Sequence, residues 1–95
     1  VITSDRIFAK KRDNAIMKTP QMKVNDKGDK EWLLNGKAHR EDGPSQECAD
    51  GGKFWHINDR LHREDGPACE YADGRKDWYL NGKEHTEEEF NLVVN

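Results

Sequence analysis

The chain repeats itself with a period of 23 residues. Laid over residues 55–85, residues 32–62 are identical at 16 of 31 positions, far above chance. Trp32, Trp55 and Trp78 fall in register, as do Asn35, Asn58 and Asn81, then His39, His62 and His85. Gly28, Gly51 and Gly74 keep the same spacing, and so do Lys30, Lys53 and Lys76. The block His39-Arg40-Glu41-Asp42-Gly43-Pro44 returns as His62-Arg63-Glu64-Asp65-Gly66-Pro67. A chain with such a period folds as stacked copies of one small unit, each resting mainly on its neighbours.

Each unit carries two turn signals. One is Asp50-Gly51-Gly52, repeated as Asp73-Gly74 and weakened to Lys27-Gly28; the other is Asn35-Gly36, Asn58-Asp59 and Asn81-Gly82. Asn-Gly and Asp-Gly accept the positive φ angles of tight hairpins. The segments between them run about five to seven residues, a usual strand length. Gly43-Pro44 and Gly66-Pro67 open strands, since Pro suits a strand's first residue and not its middle. The expected fold is mainly β, an antiparallel meander of stacked 23-residue hairpins. A basic N-terminal segment spans 1–20. Three units follow at 21–43 (degenerate), 44–66 and 67–89, and a cap at 86–95. There, Thr86-Glu87-Glu88-Glu89 is a capping box ahead of Phe90, Leu92, Val93 and Val94, which predicts a short helix over the last strand edge.

Period-two alternation sorts the side chains. Trp32 with Leu34, Trp55 with Ile57 and Trp78 with Leu80 share one face as an apolar ladder, read as structural core. Leu33, His56 and Tyr79 make the rung on the opposite, more exposed face. This arrangement accounts for the composition. Leu, Ile, Val and Phe number only sixteen of 95 residues, a level that suggests disorder when net charge is extreme. Here the net charge is -3, and a repeated sheet needs one Trp-x-aliphatic rung per unit rather than a deep core. The same scarcity excludes a large pocketed enzyme core, and no stretch reads as a membrane span or secretory signal.

The polar residues offer few reactive sets. Equivalent histidines lie two strands apart, about 9.6 Å, too far for His39, His62 and His85 to share one zinc at about 2.3 Å or less. His62 and Asp65 could form a weak divalent site, but hydrogen bonding of the connection's His, Arg and Asp to turn backbone is the favoured reading. Cys48 and Cys69 come out roughly 12 Å apart, beyond disulfide reach, and so are expected as free thiols of a reducing cytoplasm. A pairing of His56 with Cys48 lacks a strained turn or pocket to make it catalytic. Residues 1–30 carry a net +4, with the run Lys10-Lys11-Arg12, whereas residues 31–95 carry -7. The run is short and without aromatic neighbours, and the acidic repeats oppose phosphate contact.

The 23-residue period of Gly-x-Lys-x-Trp, then Asn-Gly-Lys, then a His-led connection resembles the MORN class of β-hairpin repeats over roughly residues 21–89. The nearest form is the variant unit His-Arg-Glu-Asp-Gly-Pro-Ala, with Ser45 or Ala68 at the last position. Such units occur in short phage, viral and bacterial proteins. The main MORN pattern has Gly-x-Gly where this chain has Arg-Glu-Asp-Gly-Pro. What the resemblance implies is a hairpin stack serving as an interaction surface or spacer, in the manner of a phage or viral protein that inhibits a host factor in the host cytoplasm. The expectation is therefore a non-enzymatic protein-binding module with no cofactor and no bound metal. Partner contact is expected through Leu33, His56 and Tyr79, with Lys10, Lys11 and Arg12 as a second contact. No membrane partner is expected, and self-association through an open sheet edge is left open. The alternatives are a metal-dependent hydrolase or metal-binding protein built on His39, His62, Asp42 and Asp65, and a nucleic-acid binder using the basic segment.

Overall fold

The computed structural model describes residues 19–94. The first eighteen residues, with Lys10, Lys11 and Arg12, lie outside the described residues. The fold is mainly β, an antiparallel hairpin stack closed by one short C-terminal helix. Its strands are β1 Gln21–Val24, β2 Lys30–Leu34, β3 Lys37–Ala38, β4 Gln46–Glu47 and β5 Lys53–Phe54. They continue with β6 His56–Ile57, β7 Arg60–Leu61, β8 Cys69–Glu70, β9 Lys76–Leu80 and β10 Lys83–His85. Helix α1 is Glu87–Val94. The main sheet runs β10-β9-β8-β5-β4-β2-β1, with β3 also paired to β2, and β6-β7 forms a separate two-stranded ribbon.

The hairpins follow one another as an antiparallel meander, with one added feature. Each long strand forks at its tryptophan. Lys30 and Glu31 pair with Glu47 and Gln46 of the next unit, while Leu33 and Leu34 pair with Ala38 and Lys37 of their own hairpin. In the middle unit the same fork divides the strand into β5 and β6 at Trp55. Trp32 N–H and Trp55 N–H donate forward to Ser45 O and Ala68 O, both at 2.8 Å, and mark the branch point. Several regular strands are thus only two residues long, shorter than the turn spacing suggests.

Both turn families form where the sequence places them. Leu34 faces Lys37, Ile57 faces Arg60 and Leu80 faces Lys83, which leaves two-residue loops. Asn35 and Gly36 have φ of 53° and 82°, Asn58 and Asp59 51° and 70°, Asn81 and Gly82 52° and 81°. Two successive left-handed residues define a type I′ turn, whose twist matches that of the flanking strands. The second family closes by Gly51 N–H to Cys48 O and Gly74 N–H to Tyr71 O, both 2.9 Å. There Gly51 and Gly74, at φ 102° and 95°, occupy the left-handed bulge position after central residues that have no positive φ, as in a type I turn.

The core is thin. Ala68, Cys69 and Phe90 are its buried apolar residues, joined by buried Ser45 and His39, and the molecule is 17 Å across its shortest axis. Trp32, Trp55, Trp78, Leu34, Ile57 and Leu80 stay half-buried. Leu33, His56 and Tyr79, expected as an exposed rung, are half-buried as well. Beside two of them, the connection from the preceding unit joins the strand edge: Arg40 N–H donates to His56 O, and Arg63 N–H to Tyr79 O. At the far end, Thr86 caps α1 reciprocally, its Oγ1 accepting from Glu89 N–H at 3.1 Å while Glu89 Oε1 accepts from Thr86 N–H at 3.0 Å. Phe90, 3% exposed, is the helix's anchor, and α1 packs on β9 and β10. Among the described residues, no helix is long and apolar enough to cross a membrane.

Candidate functional site

The recurring His-Arg-Glu-Asp-Gly-Pro block is the densest polar cluster in the molecule, and each of its members has a traceable contact. His39 Nδ1 accepts the Asn58 N–H of the next unit's turn at 3.1 Å, and His62 Nδ1 accepts Asn81 N–H at 2.9 Å. That leaves the ring proton on Nε2, which faces Glu41 at 3.1 Å and Glu64 at 2.9 Å. The histidines therefore staple one unit to the next. Backbone bonds Asp59 N–H to Ala38 O and Gly82 N–H to Leu61 O, both 2.8 Å, reinforce them. In the last unit no further turn follows, and His85 turns its Nδ1 to Lys83 O at 2.9 Å.

The arginines cover the tryptophans. The guanidinium of Arg40 lies 3.8 Å from the centre of the Trp32 ring system, and that of Arg63 3.9 Å from Trp55. Arg40 also donates from Nε to Asp42 at 3.0 Å and from Nη1 to Pro44 O at 3.0 Å; Arg63 repeats this with Asp65 at 2.9 Å and Pro67 O at 3.0 Å. Glu70 adds a pair to Arg63 Nη1 at 3.1 Å. Gly43 and Gly66 are glycine for a steric reason. A Cβ at either would stand 3.0 Å from the guanidinium carbon above it.

His56 has a partner that the sequence did not suggest. Its Nδ1 lies 2.7 Å from Ser45 Oγ, not against Cys48, and Ser45 Oγ also reaches Phe54 O at 3.1 Å. Burial holds the His56 imidazole below the ordinary histidine value, only partly offset by nearby Asp59. Ser45 is 1% exposed, so this serine–histidine pair presents no hydroxyl to a substrate. Cys48 and Cys69 are thiols, and burial is the first cause of the upward shift of both. Neither has the lowered pKa of a reactive cysteine. Among the described residues, no group of three or more His, Cys, Asp or Glu side chains is placed to hold a metal ion. His62, considered with Asp65, faces Glu64 instead, because Arg63 holds Asp65.

Between the two blocks lies an open groove of about 840 Å³. Its floor includes Trp55 and Ile57, and its lips carry Glu41, Asp42, Glu64 and Asp65. These four carboxylates are 74–88% exposed. The same register places Glu87-Glu88 in the third unit, so an acidic pair rises every 23 residues. Two strands per unit set the pairs of the first two units about 10 Å apart, whereas the third pair lies in α1. Alignment of the repeats exposes this acidic series; strand alternation, which directs attention to the faces of the sheet, does not. Leu33, His56 and Tyr79, expected to meet a partner, do not line this groove. Comparison with known proteins returned no matching family model, curated protein or solved structure.

Proposed function

We propose that this chain is a non-enzymatic MORN-like repeat module whose acidic groove binds a basic segment of a protein partner. The observation that carries this reading is the pairing of a half-buried Trp55–Ile57 floor with four exposed carboxylates, in a surface whose arginines are already committed internally. Long-range charge supports it: residues 31–95 hold fifteen acidic and eight basic side chains, which steers basic partners and repels nucleic acid. The blocks' histidines have both ring nitrogens engaged, and their aspartates hold arginines, which favours scaffold over catalysis. On the same reading, the resemblance of the repeats to those of phage and viral proteins makes a host factor the partner.

The test compares the chain with the variant E41Q/D42N/E64Q/D65N, which keeps hydrogen-bond acceptors and removes charge. Capture of one partner from host lysate, released by salt and weakened about tenfold in the variant, is the expected result. Equal capture by the variant would remove the groove from the account, and failure of both proteins to capture a partner would remove the binding function.

A further inference from the structure

The third unit lacks the guanidinium that the first two supply to their own tryptophans. The position aligned with Arg40 and Arg63 is Thr86, which is occupied as the N-cap of α1. Among the described residues, no cation stands over Trp78, while Arg40, Arg63 and Arg75 cover Trp32, Trp55 and Tyr71. No ring does so either: the aromatic pair among the described residues is Phe54 with Tyr71, and Phe90 stacks on neither. The residue aligned with Ala68 is Asn91, inside α1, so the strand that would continue the sheet beside Lys76 and Asp77 is replaced by a helix. The result is an open groove of about 360 Å³, whose lining includes Lys76, Asp77, Trp78, Glu84, Glu87 and Glu89.

From this geometry we infer that the Trp78 groove seats an arginine side chain presented by a partner protein, in the place that the repeat's own arginine fills in the other two units. The ligand chemistry is read from the molecule itself. Twice, a guanidinium carbon lies 3.8–3.9 Å from the centre of the equivalent indole, with a carboxylate at 2.9–3.0 Å. The carboxylates that line the Trp78 groove are Glu87 and Glu89 of α1 and, from the opposite face of the strands, Asp77, which accepts from Tyr71 Oη at 2.9 Å, and Glu84, which pairs across from Tyr79. Glu87 and Glu89 together outnumber Lys76, the one lysine or arginine of the lining, which His85 also joins. A planar fork of donors suits this arrangement better than a lysine ammonium does, because it stacks on the ring and reaches carboxylates at its edge at once. This seat is separate from the groove between the two blocks, so either could bind without the other.

The test is a titration of the full chain, with its tryptophans ¹⁵N-labelled, by acetyl-Gly-Arg-Gly-amide, the lysine analogue and the citrulline analogue. The Trp78 indole signal is assigned from Trp78→Phe. The arginine peptide is expected to shift the Trp78 signal saturably while Trp32 and Trp55 stay still, and citrulline to leave all three unmoved. Glu87→Gln should weaken the shift about tenfold, the size of a charge-assisted hydrogen bond. Thr86→Arg, which returns the internal occupant, should abolish it; retention of the other indole signals checks that the variant folds. Equal response to lysine, response at Trp55 instead of Trp78, or no saturable shift would each overturn the inference. A Trp78 shift on dilution of the chain without peptide would assign the seat to a second copy and overturn it too. None of these outcomes depends on E41Q/D42N/E64Q/D65N, so failure here and failure of the central groove remain distinguishable.

Discussion

Arg63 and Gly66 offer a stringent check, because the second is glycine on account of the first. Removing Arg63 as Arg63→Ala takes away the stack on Trp55, the donation to Pro67 O and the pairs with Asp65 and Glu70. The stack is worth about 1 kcal/mol and the charged hydrogen bond to the carbonyl about 1.5 kcal/mol. Asp65 is 86% exposed and Glu70 35%, so solvent screening leaves the two pairs about 0.5 kcal/mol together. The loss of about 3 kcal/mol is a large share of a small domain's roughly 5–15 kcal/mol. Gly66→Ala acts oppositely in the two backgrounds. With Arg63 present, the new Cβ meets its Cζ at 3.0 Å, its Nε at 3.2 Å and its Nη1 at 3.3 Å. The guanidinium, held between Trp55 and Pro67 O, must then give by a few tenths of an ångström, and we expect a cost of about 1 kcal/mol, within the range for overpacking. With Arg63 absent, those clashes vanish and Gly66 has no left-handed φ to preserve, so alanine stabilises by about 0.4–1 kcal/mol through the unfolded chain. The double-mutant cycle, measured by urea unfolding and tryptophan fluorescence, should give a coupling of about 1.5 kcal/mol. Additivity within about 0.5 kcal/mol would refute the steric and energetic account of the block.

Other perturbations probe neighbouring parts of the argument. His39→Ala and His62→Ala each strand a backbone N–H of the following turn; urea unfolding should show losses of about 1–3 kcal/mol, with the larger loss at the more buried His39. His56 has its folded pKa below the unfolded value, so its contribution is intact above about pH 6.5 and is lost as pH falls through the lower folded value. In an NMR titration its imidazole should titrate below an unperturbed histidine, and a midpoint above that reference would contradict its burial. Thr86→Ala removes the reciprocal cap and should cost about 1 kcal/mol with loss of helical circular dichroism; an unchanged spectrum and stability would remove the cap's role.

Much of this architecture is legible in the residues. The period, the type I′ turns at the Asn pairs and the capping box at Thr86 are local signals, and each depends on a few adjacent positions. The forks at Trp32 and Trp55 are not local: they arise because one strand edge is shared between its own hairpin and the next unit. The rung of Leu33, His56 and Tyr79 is expected as exposed because alternation assigns side chains to faces but does not say how far each face is covered. Arg40 and Arg63 read as turn residues in sequence, and their place over the tryptophans emerges only when Gly43 and Gly66 are seen to leave room beneath them. The Ser45–His56 pair spans two strands and has no sequence signature. The Trp78 groove is readable only in three dimensions, because it is defined by what the repeat omits.

The central claim is that the recurring His-led blocks are staples rather than a reactive site. A long-range ¹H–¹⁵N spectrum of the histidine rings tests it most directly, recorded before and after addition of zinc. The account predicts that His39 and His62 each carry their proton on Nε2, with Nδ1 accepting from Asn58 and Asn81, and that zinc leaves both patterns unchanged. A proton on Nδ1 in either ring, or a zinc-induced shift of His39 and His62 together, would contradict it.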